Sequence, residues 1–171
     1  CGLLASGGIS CWGAGNSAGG SIPHFEQSVE PAGSFVDIYA GEYHGCARDT
    51  SGVATCWGID NGLNYDYGQA TAAPADAMSL LSVGQYHNCG LLADSDVHCW
   101  GADYYGQSQP PAGAFLQVSA GKNHSCGIDS YGTLHCWGDD SSGQSTTDAD
   151  GDGFDLTEDC NDGDADLTPE D

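Results

Sequence analysis

Eight of the nine cysteines stand ten residues apart in pairs, and each second member opens a Cys-Trp-Gly triplet. The pairs are Cys1 and Cys11, Cys46 and Cys56, Cys89 and Cys99, and Cys126 and Cys136. Thiols at such spacing can bridge, or they can join imidazoles around a metal. His44, His87 and His124 stand two residues before a cysteine, and His98 and His135 directly before one. A zinc site would need the same ligands in every unit, and only two of the four units hold the second histidine. Bridging fits all four, and the repeated histidine then reads as a hydrogen-bonding group within the fold.

A second set of ligand-bearing residues lies beyond the repeats. Asp148, Asp150 and Asp152 occupy positions 1, 3 and 5 of a loop with Gly153 at 6 and Asp159 at 12. Alternate carboxylates converge on one centre, glycine permits the sharp turn, and the Phe154 carbonyl would supply the seventh-position oxygen. Hard oxygens without a nearby imidazole suit Ca²⁺ rather than a transition metal. Asp162 and Asp164 extend the set less regularly. The segment resembles the Asp-rich metal-binding motif of bacterial surface proteins and, more loosely, thrombospondin type 3 repeats. Cys160, the odd cysteine, pairs outside this sequence, pairs with another chain, or stays free.

The cysteine pairs recur at intervals of 45, 43 and 37 residues, which implies small β units that bury a core only by stacking. Alternating runs precede three of them: Val36 to Gly41, Ser79 to Gly84 and Leu116 to Gly121. If each pair faces across a hairpin, the turns are Ala5-Ser6-Gly7, Thr50-Ser51-Gly52, Ala93-Asp94-Ser95 and Ser130-Tyr131-Gly132. Glycine third is what a three-residue hairpin with a left-handed final residue requires, so the third turn should be strained or differently built. Opposed antiparallel residues approach closely enough for a disulfide, each worth roughly 3 kcal/mol in the loop-entropy account. Polar loops after each Trp-Gly end in Gly68-Gln69, Gly106-Gln107 and Gly143-Gln144; the first unit has Gly19-Gly20 where that pair would stand.

The Ala-Gly-x-x-His-x-Cys-Gly-Leu stretch, the Cys-Trp-Gly and the Gly-Gln together resemble the regulator of chromosome condensation repeat, most closely its secreted, disulfide-bearing bacterial branch. That resemblance implies an all-β fold of propeller blades. Family members close a ring of about seven blades, whereas this chain holds about three and a half, with units near 1–34, 35–78, 79–114 and 115–147 and a tail over 148–171. The sequence opens inside a unit, without the leading strand of the other three. Either it is a fragment of a longer ring, or neighbouring chains complete one another. Function does not travel with the fold.

A net charge of −23, with Arg48 and Lys122 the only Lys or Arg, excludes nucleic acid as a partner. Regular cysteine pairs point to a secreted, extracellular or cell-surface protein. No apolar run is long enough to span a membrane. A lipoprotein would also begin at cysteine, but Cys1 already serves as the partner of Cys11. Gly15-Asn16-Ser17-Ala18-Gly19 matches a nucleophile elbow in spelling, yet falls in a polar loop without the required strand and helix. Asn123-His124-Ser125 is a glycosylation sequon at a strand edge. No acid–base constellation appears, so an enzyme is not expected.

Trp12, Trp57, Trp100 and Trp137 hold identical repeat positions, which assigns them to packing between blades. Tyr65, Tyr67, Tyr104 and Tyr105 hold no fixed place and are the candidates for a contact surface. The sequence therefore reads as a secreted, non-catalytic structural protein that self-associates into a homopolymer or surface assembly with a Ca²⁺-stabilised tail. The alternative is a module or inhibitor that binds another extracellular protein through its loop rim.

Overall fold

The computed structural model of the chain describes residues 1–13, 15 and 25–144. The proposed calcium ligands Asp148, Asp150, Asp152, Phe154, Asp159, Asp162 and Asp164 lie outside the described residues, as do Cys160 and most of the elbow-like loop.

Every described element is a β-strand, and each strand pairs with its neighbour in sequence. A two-stranded ribbon, β1 (Gly2–Leu3) with β2 (Ile9–Ser10), precedes three sheets of three antiparallel strands. These are β3 (Phe35–Ala40), β4 (His44–Asp49) and β5 (Ala54–Gly58); β6 (Met78–Val83), β7 (His87–Leu92) and β8 (Val97–Gly101); and β9 (Phe115–Ala120), β10 (His124–Asp129) and β11 (Leu134–Gly138). Register follows the cysteines: Cys46 faces Cys56, Cys89 faces Cys99 and Cys126 faces Cys136. All three pairs are bonded, and so is Cys1 to Cys11.

The hairpin turns are alike in backbone. In the second blade Asp49 N donates to Val53 O and Gly52 N to Asp49 O, with Gly52 at φ 90°. Gly7 and Gly132 take the same left-handed conformation. The third turn does not adopt a different design: Ser95 enters the left-handed region itself, at φ 73°. It does so because its carbonyl has a fixed task. Ser95 O accepts Phe115 N at 2.8 Å, as Gly52 O accepts Met78 N and Gly7 O accepts Phe35 N. Each of the first three hairpin tips thus grips the first strand residue of the next blade, whose side chain (Phe35, Met78 or Phe115) is buried.

Neighbouring blades are joined by a second, buried device. His44 Nε2 lies 2.7 Å from Asn88 Oδ1 in the next blade, and His87 Nε2 lies 2.8 Å from Ser125 Oγ. Asn88 Nδ2 donates to Gln69 O, and Ser125 Oγ donates to Gln107 O. The same carbonyls take an indole: Trp100 Nε1 donates to Gln69 O at 3.2 Å and Trp137 Nε1 to Gln107 O at 2.9 Å. Because Asn88 Oδ1 only accepts, and the Ser125 proton is committed to Gln107, both histidines carry their proton on Nε2. His44 and His87 are therefore blade joints, and the cysteines next to the repeated histidines are held in disulfides.

Two tryptophans also pack with a cysteine of the preceding blade. Trp100 belongs to the cluster containing Cys46, and Trp137 to the cluster containing Cys89 and Cys99. Trp57 and Cys11 both pack against the cluster of Ile9, Phe35 and Ala47. Trp12 departs from the expected core role: it is 68% exposed, since no blade precedes it among the described residues. Arg48 adds one more strut, donating to Asp37 Oδ2 in its own blade and to Met78 O and Ser79 O in the next.

The first unit corrects the sequence alignment. Gly19-Gly20 does not stand in for Gly-Gln; Glu26-Gln27 does. Glu26 has φ 62°, where Gly68, Gly106 and Gly143 have 78°, 79° and 72°. Gln27 Oε1 accepts Phe25 N as Gln69 Oε1 accepts Tyr67 N, and Gln27 O accepts Trp57 Nε1 at 3.1 Å.

Replacing Ser95 by glycine relieves a side chain from the left-handed region. Ser95→Gly is expected to stabilise the protein by about 0.5–1 kcal/mol in denaturant unfolding. An unchanged or lowered midpoint would mean that the serine conformation costs nothing here.

Candidate functional site

The four tyrosines singled out from sequence come together along one edge of the blades, and the backbone explains why. Each blade's second strand is entered through a tight turn, Gly41 N to His44 O, Gly84 N to His87 O and Gly121 N to His124 O. The carbonyl inside that turn then catches the chain leaving Trp-Gly: Ile59 N donates to Tyr43 O, Ala102 N to Tyr86 O and Asp139 N to Asn123 O. Loops that follow Trp57 and Trp100 are thereby pinned above the turns that carry Tyr43 and Tyr86.

Glutamine shapes those loops from within. Gln69 is fully buried; its Oε1 accepts Tyr67 N and its Nε2 donates to Tyr65 O, both at 2.7 Å. Gln107 Oε1 accepts Tyr105 N in the next unit. Asp66 tightens the first loop by accepting Asn61 N, Gly62 N and Gly68 N. The result forces Tyr65 to φ 72°, a costly conformation for an aromatic residue that turns its ring onto the rim.

Tyr65 and Tyr86 are nearly parallel, with ring centroids 5.9 Å apart and planes at 18°. Tyr43 meets Tyr65 at 5.4 Å and Tyr86 at 6.0 Å, and Phe25 meets Tyr43 edge-on at 5.2 Å. Tyr67 touches Tyr86 at 5.6 Å and Tyr104 at 5.1 Å, both edge to face. These distances lie in the range where aromatic pairs attract beyond simple burial. Tyr105 completes the strip, lining a cleft of about 290 Å³ with Tyr67, Tyr86, Tyr104, Gln85 and Lys122. Tyr104 is 72% exposed, Tyr105 54% and Tyr65 45%. Tyr43, Tyr86 and Phe25 were missed in the sequence. The available signal was an aromatic residue repeated directly before His44 and His87 in an otherwise polar turn.

Burial, then the Glu42 carboxylate, pushes Tyr86 up to about 12, and a hydrogen bond to Glu42 raises Tyr43. Gln85 Nε2 donates to Glu42, while its buried Oε1 has no partner. The strip therefore offers π faces, phenol donors and one carboxylate beside one amine. That equipment suits recognition. Among the described residues, no three His, Cys, Asp or Glu side chains converge on a metal position. His135 instead pairs with Asp129 at 2.9 Å, and Ser125 of the sequon is buried. No helix of the described residues is long and apolar enough to cross a membrane.

Residues 79–107 and 115–144 match the family model described as Regulator of chromosome condensation (RCC1) repeat. No curated protein matches the chain. Among solved structures, it is similar to the CRINKLY WD40 ectodomain of the Arabidopsis thaliana receptor kinase ACR4, at 30% identity and a TM-score of 0.53, over 61% of this chain and 38% of that one. It is similar also to the entire ectodomain of the Physcomitrella patens receptor kinase CR4, at 25% identity and a TM-score of 0.60, over 79% of this chain and 35% of that one. Prp20p of Saccharomyces cerevisiae, 18% identical with a TM-score of 0.50 over 66% of this chain and 34% of its own, shares the fold alone. The chain thus spans little more than a third of the length of these structures. It carries RCC1-type β-propeller repeats.

Proposed function

We propose that this protein is an extracellular, non-catalytic binding module whose tyrosine rim recognises a segment of another protein. The observation that carries the reading is the continuous aromatic strip through Tyr43, Tyr65, Tyr86, Tyr67 and Tyr104, with Tyr65 held in a left-handed conformation. Tyrosine supplies large contact area at low entropic cost, and an exposed run of such rings favours an interface over bulk solvent. Disulfide-stapled blades and the likeness to two receptor ectodomains support an extracellular setting. The acidic surface selects for partners that are neutral or basic where they meet the rim.

A random-peptide display library panned on the wild type gives the test, with the Tyr65→Ser, Tyr104→Ser double variant as counter-target. Two aromatic anchors at about 2 kcal/mol each predict that selected peptides lose well over tenfold in affinity, with the thermal unfolding curve little changed. Peptides that bind both proteins equally would remove the rim from the account.

Calcium belongs to the same proposal. The spacing of Asp148, Asp150, Asp152 and Asp159, with the Phe154 carbonyl, supports Ca²⁺ as the ligand of this segment, where it would neutralise part of the carboxylate charge. Calorimetry of the 171-residue chain should register Ca²⁺ binding in the micromolar to millimolar range, and Asp150→Asn with Asp152→Asn should abolish it. Silence at millimolar calcium contradicts it.

A further inference from the structure

We infer that Asn61 is a self-modifying residue: the loop that carries Tyr65 is built to close Asn61 onto Gly62 N as a succinimide, which water opens to aspartate or isoaspartate. Asn61 is the one asparagine in the chain followed by glycine. The nucleophile in such a closure is the next residue's backbone nitrogen, and glycine there has no side chain to block it. Three hydrogen bonds prepare the atoms that react. Gly62 N donates to Asp66 Oδ2 at 2.6 Å, so a carboxylate stands on the proton that the nitrogen must lose. That bond lies in the peptide plane, whereas the nitrogen attacks along the normal to it, so the approach to Asn61 Cγ stays open. Leu63 N donates to Asn61 Oδ1 at 2.9 Å, which draws electrons from Cγ and stabilises the oxyanion that forms there. Asn61 N donates to the same Asp66 oxygen at 2.7 Å and holds the carboxylate beside both residues.

Burial works against the Asp66 charge, but the backbone bonds from Gly62, Gly68 and Asn61 outweigh it and hold the carboxyl below its ordinary range, ionised and able to accept. Gly62 is at φ 64°, and a side chain there would meet nothing within 4 Å, so water reaches the ring once it forms. The atoms balance with water alone. Gly62 N bonds to Asn61 Cγ and passes its proton to Asp66. The tetrahedral centre collapses, and the side-chain nitrogen leaves as ammonia with that proton, restoring the carboxylate. Water then adds to either succinimide carbonyl. Attack at Cγ gives aspartate; attack at the backbone carbonyl gives isoaspartate, which carries the chain through its side chain. Both products set a new negative charge beside Asp66, and isoaspartate also lengthens the backbone by a methylene. The grip of Asp66 on Asn61 N, Gly62 N and Gly68 N then loosens, and with it the conformation that holds Tyr65 at φ 72°. The inference concerns this loop and does not depend on what the tyrosine rim binds.

Mass spectrometry of the 171-residue chain, aged at neutral pH and physiological temperature, tests the chemistry. Its reference is a free peptide of residues 59–64, which has the same Asn-Gly bond and lacks Asp66. The expected result is conversion of Asn61 about tenfold faster in the folded chain than in the peptide, with isoaspartate at position 61 and Asn64 intact. Asp66→Asn should bring the folded rate down to that of the peptide or below. Wild type reduced and unfolded in urea should do the same, a check that does not depend on how the variant folds. In NMR spectra of the aged chain, the amide signals of Gly62, Tyr65 and Gly68 should move together while those of the strands stay in place. Conversion no faster in the folded chain than in the peptide overturns the inference. So does an Asp66→Asn rate equal to that of wild type.

Discussion

A single backbone carbonyl per blade, that of the loop glutamine, organises the molecule. Gln69 O and Gln107 O each receive an indole and a second donor from the following blade, in surroundings with almost no solvent. Hydrogen bonds in such low-dielectric sites are strong when complete and costly when broken. Orientation follows as well. The glutamine side chain shapes its own loop, its carbonyl sets the angle of the next blade, and that blade's histidine repeats the operation one step on. Disulfides fix each hairpin, but this relay fixes the blades to each other and thereby brings the tyrosine loops of adjacent blades to one edge.

Burial has an electrostatic consequence for the same joint. Desolvation lowers His44, and desolvation followed by the charges of His124 and His44 lowers His87 to about 4. A histidine held neutral in the native state but free to protonate when unfolded contributes stability that is complete above about pH 6.5. That contribution is lost as pH falls through the range toward 4. Neutrality is required by the geometry. A charged ring would carry a second proton on Nδ1, a buried atom that has no acceptor.

Much of the scaffold was legible because it is local. Cysteines ten residues apart and glycine at the third turn position determine register within one hairpin, and the register at Cys46, Cys89 and Cys126 follows directly. What escaped is non-local. Glu26 occupies a left-handed position that composition assigns to glycine, because Gln27 must present its carbonyl to Trp57 thirty residues later. Ser95 does likewise, since its carbonyl serves Phe115. Trp12 reads as core by its repeat position, yet burial depends on a neighbouring blade and not on the residue itself. Tyr65, Tyr67, Tyr104 and Tyr105 were separable from the repeat by their irregular placement. Their convergence with Tyr43 and Tyr86 needed the carbonyl clasp that only three dimensions display.

The most direct test of the blade joint is nitrogen-15 NMR of the imidazole rings, followed from neutral pH to about pH 4. The account predicts that His44 and His87 are neutral with the proton on Nε2, and that His87 keeps this form until pH approaches about 4. Protonation of His87 near the ordinary value of about 6.5, or a proton resting on Nδ1, would contradict it.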